Sequence, residues 1–326
     1  MVQAEGEGVE VRAVAREPVS LFMKNLAAGK FVYTGEAEPH KTTDISDIIE
    51  SFKALKGYVI AVNVTDNPTA YAYISSLVAS YLIQRETGIE AIYQITCRDR
   101  NRLAITSDLL GAYALGIRNV LALTGDHPCV GDNPQAKPVY DLDSTTLLYL
   151  IRRMVDEGVD LAGNKIEHPP KFHVGIAANP NADPLEPELL KIERKVEIGV
   201  DFIQTQCIYD IEVAKAFLKE AERWKVPVLV GITPFKSVGM MKYMIKYVPG
   251  IKVPEEIQER IIKAKERGGK QAVYEENVDI FSEMIKELKK TTRLAGCHMM
   301  AVGIEWLVPR IIERVEGGRP SYIESL

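Results

Sequence analysis

The sequence predicts a (β/α)8 TIM barrel with a short N-terminal extension, and three observations predict it. Eight short apolar runs alternate with amphipathic helical patterns. The repeat is about 30 residues, the length of a strand-helix unit that builds a parallel sheet. An open doubly wound sheet would carry a glycine-rich phosphate turn after its first strand. Here the first run ends in Gly35-Glu36-Ala37-Glu38-Pro39, and no phosphate-loop GxxxxGK[ST] follows anywhere.

Residues 1–28 form the extension. Its first 18 residues have mixed polarity and read as a flexible arm or docking segment. A helix over 17–28 would gather Leu21, Phe22, Met23 and Leu26 on one face. The barrel takes residues 29–326. Its first strand spans 31–34, and helix 44–55 follows, with Ile45, Ile48, Ile49, Phe52 and Leu55 at three-and-four spacing. Strand 58–64 ends at Thr65-Asp66-Asn67-Pro68 and leads to helix 69–84. Strand 91–95 precedes helix 101–114, which Gly116 stops. Strand 120–123 and helix 143–155 come next, then strand 173–178 ending at Asn179-Pro180. Helix 187–197 stops at Gly199, strand 202–205 ends at Gln206-Cys207, and helix 211–224 leads to strand 228–232. A longer helical region is broken at Pro249, Gly250, Pro254, Gly268 and Gly269. Strand 297–302 and helix 304–315 complete the repeat.

Composition narrows the function classes. Hydrophobic residues make up 46% of 326, enough for a large core. The net charge is −5 and basic residues form no long run, which argues against nucleic acid or an anionic membrane surface as partner. No stretch approaches the roughly 20 apolar residues of a membrane span. Met1-Val2-Gln3-Ala4-Glu5-Gly6-Glu7 is acidic and polar, unlike a signal peptide, so a cytoplasmic location is expected. Cys97, Cys129, Cys207 and Cys297 are too scattered for a disulfide framework or a zinc finger.

The chain is organised around Asn119-Val120-Leu121-Ala122-Leu123-Thr124-Gly125-Asp126-His127-Pro128. Its continuous apolar run is that of a strand covered on both faces. In such folds ligands bind where the strands end. Gly125 would let a ligand approach the backbone, and Asp126 offers a fixed carboxylate or, more plainly, a cap for the next turn. The other strand ends supply Glu36, Thr65, Asp66, Asn67, Gln94, Thr96, Thr124, Asn179, Gln206 and Thr233. This set holds amides, hydroxyls and a few acids but no histidine, which disfavours a histidine-based metal site and a Ser-His-Asp hydrolase. It suits a flat ligand with polar edges, such as a flavin ring or a pterin. Plainer readings stand beside it: Glu36 paired with a Lys or Arg, Arg98-Asp99-Arg100 as a solvated loop, Cys97 and Cys207 as apolar filler. His127 and His298 read as core or surface residues, and Met240, Met241 and Met244 as helix packing.

Taken together, Glu36-Ala37-Glu38-Pro39, Asn63-Val64-Thr65-Asp66, Gln94-Ile95-Thr96-Cys97-Arg98-Asp99-Arg100-Asn101, Leu121-Ala122-Leu123-Thr124-Gly125-Asp126, and Lys195-Val196 followed by Gln204-Thr205-Gln206 resemble the methylenetetrahydrofolate reductase family. The likeness runs in order from about residue 31 to 315 and is closest in style to short catalytic subunits of anaerobic bacteria and archaea. It implies a flavin-bearing barrel, with FAD or FMN and no metal, that reduces a methylene group on a reduced pterin to methyl. Glu36 matches the family's general acid, and Asp126 the aspartate beside the flavin ring. Thr65, Ala177 and Lys195 match flavin contacts, and Gln206 a folate contact. Gln94, Thr96, Thr124, Gly125 and Asn179 are expected to border the flavin, and Thr233 to join Gln206 on the pterin side.

The chain departs from the family in places. Gln94 stands for a histidine, Asn179 for a tyrosine and Asp183 for a second histidine. Met240 and Met244 replace residues that hold NADH in enterobacterial members, which leaves the electron donor open. The resemblance implies that Glu36 gives the proton that opens the methylene bridge to an iminium, while Asp126 holds cationic charge there. A glutamate left in water is ionised at neutral pH, so this role asks for burial or a charged neighbour. Alternatives are a methylene-tetrahydromethanopterin reductase fed by a reduced deazaflavin, or a non-catalytic flavin- and pterin-binding subunit of a larger redox complex. A small zinc or iron–sulfur partner subunit and a homo-oligomeric state are further expectations.

Overall fold

The computed structural model describes residues 16–248 and 250–325. The expectations for the first 15 residues and for a break at Pro249 lie outside the described residues. Eight strands close into one parallel barrel in sequence order. They are β1 Val32–Ala37, β2 Ala61–Val64, β3 Glu90–Thr96, β4 Asn119–Leu123, β5 His173–Ala178, β6 Phe202–Cys207, β7 Val228–Ile232 and β8 Gly296–Met299. Helices α2 Ser46–Ala54, α3 Ser76–Thr87, α4 Arg102–Ala114, α5 Ser144–Arg152, α6 Glu186–Ile198 and α7 Ile211–Ala221 alternate with them, preceded by α1 Leu21–Ala27. The β7–β8 crossover holds α8 Val238–Tyr247 and α9 Glu255–Thr291, and α10 Leu307–Glu316 ends the fold. Among the described residues no helix is long and apolar enough to cross a membrane.

Side chains alternate between the barrel interior and the surrounding helices. The outward set (Tyr33, Val62, Tyr93, Val120, Val174, Ile203, Val230, Cys297) joins the main core beneath the helices. The inward set is layered. The layer toward the strands' amino ends is apolar: Val32, Ala61, Ile92, Leu121, Phe202 and Leu229. Gly175 opposite is bare because the Phe202 ring fills its space; a Cβ there would lie 2.2 Å from that ring. Helix α1 plugs this end, its Phe22 meeting Phe202 edge-on at 5.0 Å. Glu90 caps the plug by accepting from the N–H groups of Leu21 and Phe22 at 2.7 and 2.9 Å. Near the carboxyl terminus, the Ile323 backbone exchanges hydrogen bonds of 2.8 and 3.0 Å with the Asn25 side chain.

Three local expectations change. Strand β1 runs to Ala37 rather than residue 34, so Glu36 sits inside the strand and faces the interior with Thr34. Strand β8 covers Gly296–Met299, so residues 300–302 lie beyond it. The helix expected over 69–84 begins only at Ser76, because Asn67, Thr69 and Ala70 take left-handed φ of 47°, 51° and 59°. Two backbone N–H groups of this loop are claimed from outside, Thr69 donating to Asp126 and Ala72 to Asp132, while Tyr73 donates within the loop to Asn67. Within α9, Gly268 and Gly269 break the helix and the second arm folds back. Arg260 of the first arm thereby reaches Glu276 and Glu283 of the second at 2.7 and 2.8 Å.

Candidate active site

Above the apolar layer the interior becomes polar. Thr34, Asn63, Gln204 and His298, from β1, β2, β6 and β8, meet inside the barrel and are all buried. His298 Nδ1 lies 3.0 Å from Thr34 Oγ1 and 3.3 Å from Asn63 Nδ2. Gln204 Nε2 donates to Thr34 Oγ1 at 3.3 Å. On the other side of the ring, His298 Nε2 lies 3.2 Å from Glu36 Oε2. Among the described residues this histidine, and no Lys or Arg, is the ion-pair partner of Glu36. His298 is thus a core residue, as expected, yet it is also what holds the candidate acid. The sequence reading missed this contact because a lone histidine in a strand names no partner. Two residues on, burial and then the charge of Glu36 push the Glu38 carboxyl upward.

The other expected residues line the same end of the barrel. Thr65, just past the end of β2, and Gln94, on an inward position of β3, are buried, and the Thr65 hydroxyl donates to Ala37 O at 3.3 Å. Thr96 is buried and committed: its hydroxyl and N–H both go to Asp66. Thr124 Oγ1 accepts from Ser144 N at 3.1 Å, so it helps start α5. Gly125 has φ +89°, and a Cβ there would stand 3.0 Å from Thr96 Cβ and 3.2 Å from Arg98 Cβ. Its bareness is required by its own loop before any ligand arrives. Asp126 is exposed, and its Oδ2 accepts from Thr69 N at 3.1 Å, tying the β4 loop to the β2 loop. Ala177 is half-buried on β5, paired in register with Gln204. Asn179 Oδ1 accepts from Asn181 N at 3.1 Å. Gln206 is exposed on β6, next to a register shift between β6 and β7. Thr233 is buried, and its carbonyl accepts from Tyr209 Oη at 3.0 Å.

Lys195 is the cation of this region. It is buried on α6 and makes no hydrogen bond or ion pair among the described residues. Burial and the nearby Lys191 hold its ammonium below the ordinary lysine range, against the pull of Glu188 and Asp143. An unpaired buried cation is costly, and an anionic group would relieve it.

Arg98-Asp99-Arg100 is not the solvated loop expected. The Arg98 side chain is 2% exposed and binds both oxygens of Asp99, at 2.9 and 2.8 Å. Arg100 bridges Asp66 at 2.7 Å and Asp108 at 2.9 Å. Cys97 and Cys207 behave as filler: both are buried, and burial pushes the Cys97 thiol up to about 12 and raises that of Cys207. Met240 and Met244 are used in packing, their sulfurs receiving Lys236 N at 3.4 Å and Tyr209 Oη at 3.9 Å.

Comparison with known proteins fits this arrangement. A fission yeast protein (Schizosaccharomyces pombe), methylenetetrahydrofolate reductase 1, is 26% identical over 242 residues, covering 72% of this chain and 37% of its own. A 5,10-methylenetetrahydrofolate reductase of Pectobacterium carotovorum is 24% identical over 223 residues, covering 66% of this chain and 67% of its own. The chain therefore spans little more than a third of the length of the fission yeast relative. A solved structure from Clostridium thermocellum, described as an uncharacterized protein that binds two copies of 5-methyl-5,6,7,8-tetrahydrofolic acid, superposes with a TM-score of 0.59 at 17% identity. It covers 91% of this chain and 98% of that one, a likeness of fold. The sequence profile described as methylenetetrahydrofolate reductase matches residues 21–316, and the chain belongs to that family.

Proposed function

We propose that the chain reduces a methylene group carried by a reduced pterin to a methyl group, with a bound flavin. The observation that carries this reading is Glu36: an acid on the inward face of β1, held by a neutral-capable partner rather than cancelled by a Lys or Arg. The flavin fits the residues present, because Lys195 is a buried cation with no partner among the described residues and so suits an anionic phosphate. When bound, the flavin supplies the hydride.

The chain's own residues do the rest. A Glu36 carboxyl oxygen gives a proton to the bridge nitrogen of the substrate, opening the ring. Asp126, once released from Thr69 N, holds positive charge near the opened bridge. Gln206, on β6, and Thr233, just past the end of the neighbouring β7, offer hydrogen bonds to the pterin edge. Thr65, Gln94, Ala177 and Asn179 border the ring system, and Lys195 holds its anionic tail.

The test is to purify the full chain, denature it, and take the visible spectrum and mass of what is released. A flavin is expected, and its mass separates FAD from FMN. Methylene reduction is then assayed with tetrahydrofolate and tetrahydromethanopterin forms, using NADH, a reduced deazaflavin or a reduced electron-carrier protein as donor. We expect turnover with a donor other than NADH, as the packed Met240 and Met244 suggest, in the manner of the short catalytic subunits. Absence of flavin, or of turnover with every pterin, would overturn the proposal.

A further inference from the structure

We infer that α4 is the contact face between two copies of this chain, packed antiparallel about a two-fold axis that passes between Asp108 and Leu109. The inward side chains of this 13-residue helix, Ile105, Leu109 and Ala112, join the main core. On a helix that faces water the opposite side is charged. Helix α6 follows that rule, with Lys191, Arg194 and Glu197 exposed. Helix α4 does not: Leu103, Ala104, Ser107, Leu110 and Ala114 are exposed, Gly111 is half-buried, and none of them carries a charge. Leu103, at 77%, is the most open large apolar side chain among the described residues. The two charges of the helix are matched within the chain, Arg102 with Asp141 at 2.8 Å and Asp108 with Arg100 at 2.9 Å. The uncharged zone continues onto α3, which touches α4, exposes Val78 and carries no charge before Arg85. A helix that is apolar on both sides is one that something covers.

Gly111 is a second, independent sign. A Cβ there would meet nothing within 4 Å, so packing within the chain does not ask for a glycine. Glycine inside a helix is worse than alanine, because it gives up more backbone freedom. Its bareness serves a neighbour outside the chain, since small residues let a second helix come close. The order of sizes selects a second copy as that neighbour. Leu103, Ser107, Leu110 and Ala114 follow one another at spacings of four, three and four, which keeps them in one line along the helix. The spacing reads the same in both directions, while the sizes run large, small, large, small. About the two-fold axis, Leu103 therefore lies on Ala114 of the partner subunit, and Leu110 on Ser107 of the partner subunit. Each contact occurs twice, as an isologous interface requires, and every leucine meets a small residue. The helix is about 20 Å long. With the edge of α3 the pair covers on the order of 1,000 Å², the low end for a specific interface, so a micromolar dissociation constant is expected.

Sedimentation of the full chain at about 50 µM should give about twice the 36.3 kDa of one chain. Leu110→Glu sets two like charges beside the axis and should weaken the pair at least about 100-fold, with an unchanged circular dichroism spectrum. A cysteine pairing tests the axis and does not depend on that variant folding. Cys129→Ser first removes the exposed thiol. Chains with Leu103→Cys and chains with Ala114→Cys should then oxidise to a covalent dimer when mixed. Neither should link to itself, because the axis sets the two copies of either position about 16 Å apart along the helix, beyond disulfide reach. A monomer at about 50 µM would leave the face to a different protein and overturn the inference. So would a dimer indifferent to Leu110→Glu, a mixture that does not link, or a covalent dimer from either single-cysteine chain alone.

Discussion

The carboxylate of Asp66 takes both the backbone N–H and the hydroxyl of Thr96, each at 2.9 Å. Arg100 closes over the same carboxylate at 2.7 and 3.3 Å. Asp66 is 1% exposed and Arg100 17%, so the bridge is screened little by solvent. It locks the end of β2 to the end of β3 and decides how the mouth is framed there. Asp66→Ala would strand the Arg100 charge and the Thr96 donors. We expect a loss of about 3 kcal/mol in urea unfolding. A loss within about 0.5 kcal/mol would show that Asp108 alone satisfies Arg100.

Lys195 is expected to trade stability for cofactor retention. Its folded ammonium titrates below its unfolded value because of burial. The charge therefore destabilises the fold at neutral pH, and that cost fades as pH rises through the folded value toward the ordinary lysine value of about 10.4. Lys195→Met keeps the stem and removes the charge. The cofactor-free protein should melt about 3 °C higher, and flavin should dissociate about tenfold more readily. Equal retention of flavin in the two proteins would take Lys195 out of the cofactor site.

Glu36→Gln should keep the fold and the flavin, since an amide can still hydrogen-bond with His298 Nε2. Reduced enzyme should then turn over methylene-pterin at least about 100-fold more slowly, the scale of general acid catalysis. Stopped-flow measurement of the reduced-enzyme half-reaction reads this directly, and near-normal turnover would exclude Glu36 as the acid.

Acid should loosen the β4–α5 loop before the barrel. Asp132, hydrogen-bonded by Lys41, Asn133 and Ala72 N, is held down at about 2. Asp141 is also held at about 2, by the Arg102 side chain at 2.8 Å and its N–H at 3.0 Å. Both values lie below those of the unfolded chain, so these anchors contribute fully above about pH 4 and are lost as pH falls through about 2. Denaturant melts of Asp132→Asn/Asp141→Asn against wild type should differ at about pH 6 and converge by about pH 2. A difference that stays constant with pH would refute the anchoring role.

Much of the molecule was legible in the chain. Strands β5 and β7 fall where the apolar runs place them, because each run has the length of a strand and stops at polar or proline residues. Helix α4 ends before Gly116 as its glycine stop requires. The stretch 69–75 was misread as helix because the left-handed turn here is set by carboxylates 60 or so residues away, Asp126 and Asp132. No local pattern contains that information.

The sequence by itself determined the barrel and its strand order, since a period of two in the strands and about 3.6 in the helices fixes which faces are buried. Only the tertiary structure decided what each polar group answers to. Closing the barrel brings β8 against β1, and so His298 to Glu36, across more than 260 residues of chain. It also commits Thr96 to Asp66 and leaves Lys195 without a partner among the described residues. The physical reason is that hydrogen bonds and ion pairs act over a few ångströms of space, whereas residue spacing constrains only neighbours along the chain.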